Sequence, residues 1–367
     1  MMRVVNTGNT YRIYDDSLRT YEKLPVQTYL VCFNEMTGFY LDKYADISVD
    51  EKVYGTHLSK VDKVLKAFGK FDRNLGVILS GAKGIGKSLC AKLLSERAVV
   101  EGYPVIVVNS YFQGVANYLA SIEQEVVILF DEFDKTYCSN GKNDQNDPQT
   151  EMLTLFDGLS QGKKLFVVTC NELSGLNNYL VNRPGRFHYH FRFDYPTSDE
   201  IREYLRDKVD QKHLSEIEKV VSFSSKVDLN YDCLRAIAFE LSAGVAFEDA
   251  IKDLNIVNVS REEYTLMAFF KNGSKGKKNV FLDMFTGEDE RIELEDEKGF
   301  YFYVGFNPCD GTFDHVRGGI VFRNDQVDVD WQESYYDNDE AVKERSKREL
   351  DFLLIRRKQS KGIHYAI

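Results

Sequence analysis

The 367-residue sequence predicts an α/β protein: a parallel-sheet module with a small helical lid, flanked by an N-terminal β-rich segment and a C-terminal β-rich domain. Three observations predict it. Short apolar runs at residues 74–80, 105–109, 126–130 and 165–169 alternate with stretches long enough for helices, as crossover connections in a parallel sheet require. From Pro196 onward apolar residues recur at helical spacing. From Tyr264 onward strand-like runs return, with turn residues between them. The expected divisions are 1–50, 51–196, 197–258 and 259–367.

In chain order, residues 24–33 and 38–44 read as strands around a turn at 34–38. Leu58, Val61, Val64, Leu65 and Phe68 mark a first helix, and residues 88–99 a second. In the lid, Ser198 reads as the N-cap of a helix bearing Ile201, Leu205 and Val209. Leu214, Ile217, Val220 and Val221 mark the next helix, Leu234, Ile237 and Leu241 a third, and residues 247–254 a short fourth. Strands follow at 266–270, 280–284, 300–306 and 319–322, then a charged helix over 340–357. No internal repeat is present.

The formal net charge of −11 disfavours broad binding to phosphate backbones, although a local basic patch is compatible with it. Six scattered cysteines, without a C-x-x-C pair, argue against a disulfide framework or zinc site and fit a reducing compartment. The first residues lack the apolar core of a signal peptide, and no apolar run approaches the ~20 residues of a membrane helix. A soluble, cytoplasmic protein with no membrane partner is expected.

Gly81-Ala82-Lys83-Gly84-Ile85-Gly86-Lys87-Ser88 fits the phosphate-loop pattern G-x-x-x-x-G-K-[ST], with a strand before it and a helix after. The glycines let consecutive N–H groups face inward as an anion nest, and the helix N-terminus adds its positive dipole end. Lys87 is expected to reach the β- and γ-phosphates of ATP, Ser88 to ligate Mg2+, and Leu89 to complete the nucleotide contacts. The alternative is a glycine-rich turn without function. Residues 126–130 carry no polar side chain and end in Asp131 and Glu132. Asp131 at the C-terminal end of such a strand suits the Mg2+ shell, and Glu132 the polarisation of the attacking water. The alternative is a pair of capping carboxylates, a reading that also covers Asp134 and Glu125.

Two further segments narrow the reading. The run 165–171 ends in Asn171 and resembles the sensor-1 strand of AAA+ ATPases, which implies that Asn171 orients the attacking water. Asn182-Arg183-Pro184-Gly185-Arg186-Phe187 resembles the R-P-G-R segment of the AAA subfamily proper, found in membrane AAA proteases and the mitochondrial chaperone that translocates the Rieske protein. That resemblance implies that Arg183 and Arg186 act in trans as arginine fingers in a homo-oligomeric ring, a hexamer by family analogy. The alternative is a turn with solvated charges. Compact chains with F-D-E-F followed by N-R-P-G-R also resemble AAA ATPases of large bacteriophages. No H-E-x-x-H motif accompanies the module, so the likeness to the proteases stops at the motor.

By the same resemblance, Tyr54 falls where the adenine ring packs, or is a buried linker tyrosine. Arg235 is placed like a sensor-2 arginine, or is a solvated helix residue. Tyr111-Phe112-Gln113-Gly114 falls where hexameric motors carry an aromatic pore loop, against ordinary packing. Residues 137–149 read as a polar insertion, a candidate second pore loop. Arg345, Lys347, Arg348, Arg356, Arg357 and Lys358 form a basic tail able to meet phosphates, or a helix salt-bridged to Glu344, Glu349 and Asp351. Trp331, Tyr335 and Tyr336 form a binding face or close a small β-core. The expected activity is that of a Mg2+-dependent ATPase that remodels or translocates a protein. A nucleic-acid loader or packaging accessory is the second reading, and a slowly hydrolysing assembly scaffold the third.

Overall fold

The structure is a computed structural model describing residues 2–45, 47–137, 148–157, 162–173, 176–177, 179–180, 183–256, 262–285, 287–297, 299–314, 316–331 and 348–358. It divides into two units, Met1–Tyr195 and Pro196–Ile367.

The first unit opens with a hairpin, β1 (Arg3–Thr7) and β2 (Thr10–Tyr14), followed by β3 (Thr28–Asn34), β4 (Gly38–Lys43) and α1 (His57–Lys70). Then come β5 (Leu75–Ser80), α2 (Lys87–Val100), β6 (Val105–Val108), α3 (Val115–Ala120) and β7 (Val126–Phe130). The unit closes with α4 (Phe133–Tyr137), α5 (Pro148–Phe156), β8 (Lys164–Cys170) and β9 (Tyr189–Arg192). Seven strands form one sheet in the order β4-β3-β6-β7-β8-β5-β9. Neighbours are parallel except the β3–β4 hairpin. Residues 28–43, expected in a β-rich segment of their own, therefore extend the parallel sheet, with Tyr29 beside Ile106.

Both sheet faces are buried, which explains the unbroken apolar runs. On β7, Val126, Ile128 and Phe130 enter one core with Phe133, Phe156 and Phe166, while Val127 and Leu129 enter the other with Val61, Val64, Phe68 and Leu94. Of the α1 residues legible as a helical stripe, Val61, Val64, Leu65 and Phe68 form its buried face, each worth roughly 1.5–3 kcal/mol of transfer free energy, while Leu58 is exposed and His57 takes the buried place one residue earlier. Gly76 sits mid-strand because a Cβ there would lie 2.3 Å from the Arg186 carbonyl.

The second unit begins with α6 (Ser198–Lys208), a 3-10 segment (Gln211–Glu216), α7 (Ile217–Ser224), α8 (Tyr231–Ser242) and α9 (Phe247–Asp253). The cap of α6 is Thr197 rather than Ser198. Thr197 accepts from the Glu200 N–H and Glu200 reaches back, a capping box that the Ser198 reading displaced by one residue. Leu214 lies in the 3-10 segment instead of the following helix.

Eight strands follow: β10 (Glu262–Phe270), β11 (Lys275–Leu282), β12 (Glu290–Glu295), β13 (Tyr301–Phe306), β14 (Thr312–Asp314), β15 (Gly319–Arg323), β16 (Val327–Trp331) and β17 (Leu350–Arg357). They form two antiparallel sheets, β11-β10-β17-β15-β14 and β12-β13-β16, bridged at Gly276 and Asp296. Tyr264, Leu266, Phe302, Val304, Phe322, Leu353 and Ile355 make their shared core.

The expected charged tail helix is corrected here. Residues 350–357 are a strand between β10 and β15, with Phe352 opposite Phe269 and Ile355 opposite Ile320. Its earlier part, 340–347, lies outside the described residues. Trp331 is core rather than a binding face, its ring 4.6 Å from Phe302 and 5.4 Å from Phe270. Tyr335, Tyr336, Glu344, Arg345 and Lys347 lie outside the described residues, as does most of the 137–149 insertion. The remaining basic residues of the tail are engaged: Arg348 with Asp296, Arg356 with the Arg317 carbonyl, Arg357 with Asp228, and Lys358 with Glu263.

Candidate active site

Sheet order assembles the site. β8 runs between β5 and β7, so the segments leaving the C-terminal ends of all three meet at one edge. Open α/β sheets bind ligands at such an edge.

The glycine loop leaves β5 with Gly81, Gly84 and Gly86 at φ 142°, 79° and 96°. A Cβ on Gly81 would lie 2.2 Å from the Phe193 carbonyl, and one on Gly86 2.6 Å from His57 Nε2. The loop is therefore held between His57, on the first turn of α1, and Phe193, just beyond β9. Their rings pack at 4.9 Å. Ile85 is buried beneath the loop, Ala82 and Leu89 pack against the same core, and Lys83 is exposed.

Lys87 turns its ammonium inward, donating to the carbonyls of Gly81 (2.8 Å) and Ala82 (2.6 Å) and to Asn171 Oδ1 (2.9 Å). Burial lowers its pKa, against the opposing pull of Cys170, Asp134, Asp131 and Glu132. Ser88 Oγ donates to Asp131 Oδ1 at 3.3 Å. Asp131 is fixed from behind by buried Thr169, whose hydroxyl donates to the same oxygen at 2.6 Å. The Glu132 N–H donates back to Thr169 Oγ1 at 2.8 Å. Asp134, read as a capping carboxylate, accepts the N–H groups of Asn171 (2.9 Å) and Glu172 (3.3 Å), which anchors the end of β8. Lys87, Ser88, Asp131, Glu132 and Asn171 are thus brought together.

Three contributors escaped sequence reasoning: Thr169, His57 and Phe193. Thr169 is the one hydroxyl residue in the run 165–170, two positions before Asn171, and that is a usable signal. His57 and Phe193 act through contacts distant in sequence and left none.

The two arginines of the R-P-G-R turn differ. Arg186 is nearly buried, forked onto the Asp157 carboxylate and donating to the Tyr179 carbonyl at 2.6 Å. Arg183 is exposed, its guanidinium over the Tyr179 ring at 5.3 Å. Asn182 lies outside the described residues. Tyr54 is buried, with its carbonyl 2.8 Å from His57 Nδ1 and Lys52 over its ring. Arg235 belongs to the second unit, where with Asp232, Phe239 and Leu254 it lines an open groove of about 390 Å³.

Within the chain, Tyr111 and Phe112 pack against neighbouring elements. Tyr111 packs edge-on against Tyr137 and donates to Glu151 at 2.8 Å, while Phe112 stacks on Phe33 at 5.4 Å. The β3–β4 hairpin supplies Phe33, α4 supplies Tyr137 and α5 supplies Glu151, and both loop rings are half-buried against them. Among the described residues no helix is long and apolar enough to cross a membrane.

Residues 77–195 match the family model described as ATPase family associated with various cellular activities (AAA). An ATP-dependent zinc metalloprotease FtsH 1 of Phytoplasma mali (strain AT) is 28% identical over 155 residues, 38% of this chain and 26% of that protein. An FtsH of Mycoplasmoides gallisepticum is 25% identical over 245 residues, 61% of this chain and 30% of that protein. An "AAA ATPase forming ring-shaped complexes" of Kocuria rhizophila is 29% identical over 158 residues, 35% of this chain and 28% of that protein. The chain spans under a third of the length of each of these relatives. The chain carries an AAA ATPase domain, weakly similar to those of FtsH-type AAA proteases.

Proposed function

We propose that the protein is a ring-forming ATPase that hydrolyses ATP and uses the cycle to remodel or translocate a protein substrate. The observation that carries this reading is the junction of Lys87 with Asn171 and of Ser88 with Asp131 at one sheet edge. In the proposed reaction Lys87 exchanges the loop carbonyls for the β- and γ-phosphate oxygens, and Asn171, tied to Lys87, faces the same point. Glu132 takes a proton from the attacking water as its oxygen bonds to the γ-phosphorus. The bond to the β–γ bridging oxygen breaks, leaving ADP and phosphate. The hydroxyl of Ser88 and the carboxylate of Asp131, both hard oxygen donors 3.3 Å apart, fit Mg2+. When bound, that ion would neutralise charge on the phosphates.

Arg183 is the better finger for a neighbouring subunit, being exposed. Arg186, forked onto Asp157 in its own chain, is proposed to shape the turn that presents it. Assembly into a ring is supported by the ring-forming relative. A protein substrate is favoured over nucleic acid because the chain is acidic and the described basic tail residues are paired. Glu132→Gln is expected to bind ATP with unchanged affinity and lose turnover. Turnover retained in that variant overturns the assignment of the base, and steeply salt-dependent stimulation by DNA overturns the substrate class.

A further inference from the structure

The backbone of Glu132 is held unusually firmly for a residue at the mouth of a site. Among the described residues it is the one non-glycine at positive φ, 50°. Its N–H is committed to Thr169, and its carbonyl accepts the N–H groups of Lys135 (2.9 Å) and Thr136 (3.1 Å) as α4 begins. Only the side-chain torsions remain to aim the carboxylate. They draw it back along its own chain, where Oε1 accepts from Lys135 Nζ at 2.5 Å. The other carboxylates beside Lys135 are already engaged, Asp131 by Thr169 and Ser88 and Asp134 by backbone N–H groups. Both members of the Glu132–Lys135 pair are about half exposed, so the contact can break in water at modest cost.

We propose that Lys135 is a positioning residue that holds the Glu132 carboxylate off the line of attack, so that this ion pair must open before Glu132 can take a proton from water. The inference rests on the assignment of Glu132 as the base. An ammonium on Oε1 competes with the water for the same lone pairs, and it does so without touching ATP. Removing it therefore changes the rate of the chemical step and leaves nucleotide affinity alone. The proton affinity of Lys135 is raised, chiefly by the hydrogen bond it donates to Glu132, as such a competition requires.

The test uses the full chain. Lys135→Met is expected to raise kcat about two- to five-fold, the range of an exposed ion pair, with KM for ATP unchanged. Lys135→Arg, which can rebuild the pair, is expected to return kcat to the wild-type value. Added salt should raise kcat of the wild type by screening the pair, and leave Lys135→Met unresponsive. A readout independent of turnover is the Lys135 side-chain ammonium resonance in 15N-lysine-labelled, nucleotide-free protein, expected to shift in Glu132→Gln. An unchanged or lower kcat in Lys135→Met, or a resonance indifferent to Glu132→Gln, overturns the proposal. Turnover retained in Glu132→Gln overturns the underlying assignment instead. An inactive Glu132→Gln beside a Lys135→Met of wild-type rate overturns this inference alone.

Discussion

Two kinds of buried cation, one at lysines of the first unit and one at an arginine of the second, are held in opposite ways. In residues 1–195, Lys87 and Lys164 place their ammonium groups on neutral oxygens: Gly81, Ala82 and Asn171 for the first, Ile122 and Gly162 carbonyls for the second. In the second unit, Arg348 lies almost wholly buried against an equally buried Asp296, 2.9 Å away, with its guanidinium over Trp331. Neutral acceptors satisfy hydrogen bonds without themselves carrying a counter-charge; burial lowers the pKa of Lys87, against the pull of the nearby acidic groups, and brings that of Lys164 to about 8. The Arg348–Asp296 pair carries no net charge and staples residue 348, two positions before β17, to the turn after β12. An ammonium held on neutral oxygens is costly to bury yet ready to meet an anion. A neutralised one is a fixed piece of core.

The contrast is broken most severely at Arg348. Arg348→Met strands the Asp296 carboxylate in the core, and the expected loss is about 3–5 kcal/mol of stability. Trp331 is the chain's single tryptophan and packs in that core, so its fluorescence during denaturant unfolding reports the transition. Arg348→Met/Asp296→Asn, which buries no charge, should recover most of the loss. A single variant as stable as the wild type would mean that the pair is ornamental.

Lys164 sharpens the other side. Its folded pKa of about 8 lies below the ordinary lysine value near 10.4, so between these limits the unfolded chain binds more protons. Stability therefore rises as pH increases from about 8 to 10.4, by roughly 3 kcal/mol, and the full penalty of burying the charge applies below pH 8. Comparing denaturant midpoints at pH 7.5 and 10 should show this gain in the wild type and its absence in Lys164→Met. Equal pH slopes in the two proteins would show that the charge is solvated after all.

What the sequence made legible follows the range of the forces involved. The glycine loop, the acidic pair and Asn171 are each set by a strand end and a few adjacent residues, so a local window contains their logic. Strand 126–130 and the stripe on α1 were legible because burial on one or two faces imprints a period. Residues 350–357 defeated that logic. Their inward side chains face partners on β10 and β15, tens of residues away, and interleaved charges imitate a helix with i,i+4 pairs. Thr197 was missed for a smaller reason, since adjacent Thr and Ser both suit a cap and only the position of Glu200 decides. Tyr111 and Phe112 were ambiguous because their neighbours Phe33 and Tyr137 are contributed by other elements.

The smallest expected effect on folding, and the most informative, is at Lys87. The carbonyls it occupies belong to Gly81 and Ala82, both half-exposed, so in Lys87→Met water can take its place. The unfolding midpoint should move by no more than about 0.5 kcal/mol, against the much larger changes at Arg348 and Lys164. Under the proposed function the same substitution removes the cation that meets the phosphates. ATP at a hundred times its dissociation constant should stabilise the wild type by about 2.7 kcal/mol and leave the variant where it was. Thermal unfolding with and without ATP measures both quantities at once. If ATP stabilises Lys87→Met as much as the wild type, Lys87 is another structural cation of the Lys164 kind. An ammonium on neutral oxygens would then mark nothing about anion binding in this fold.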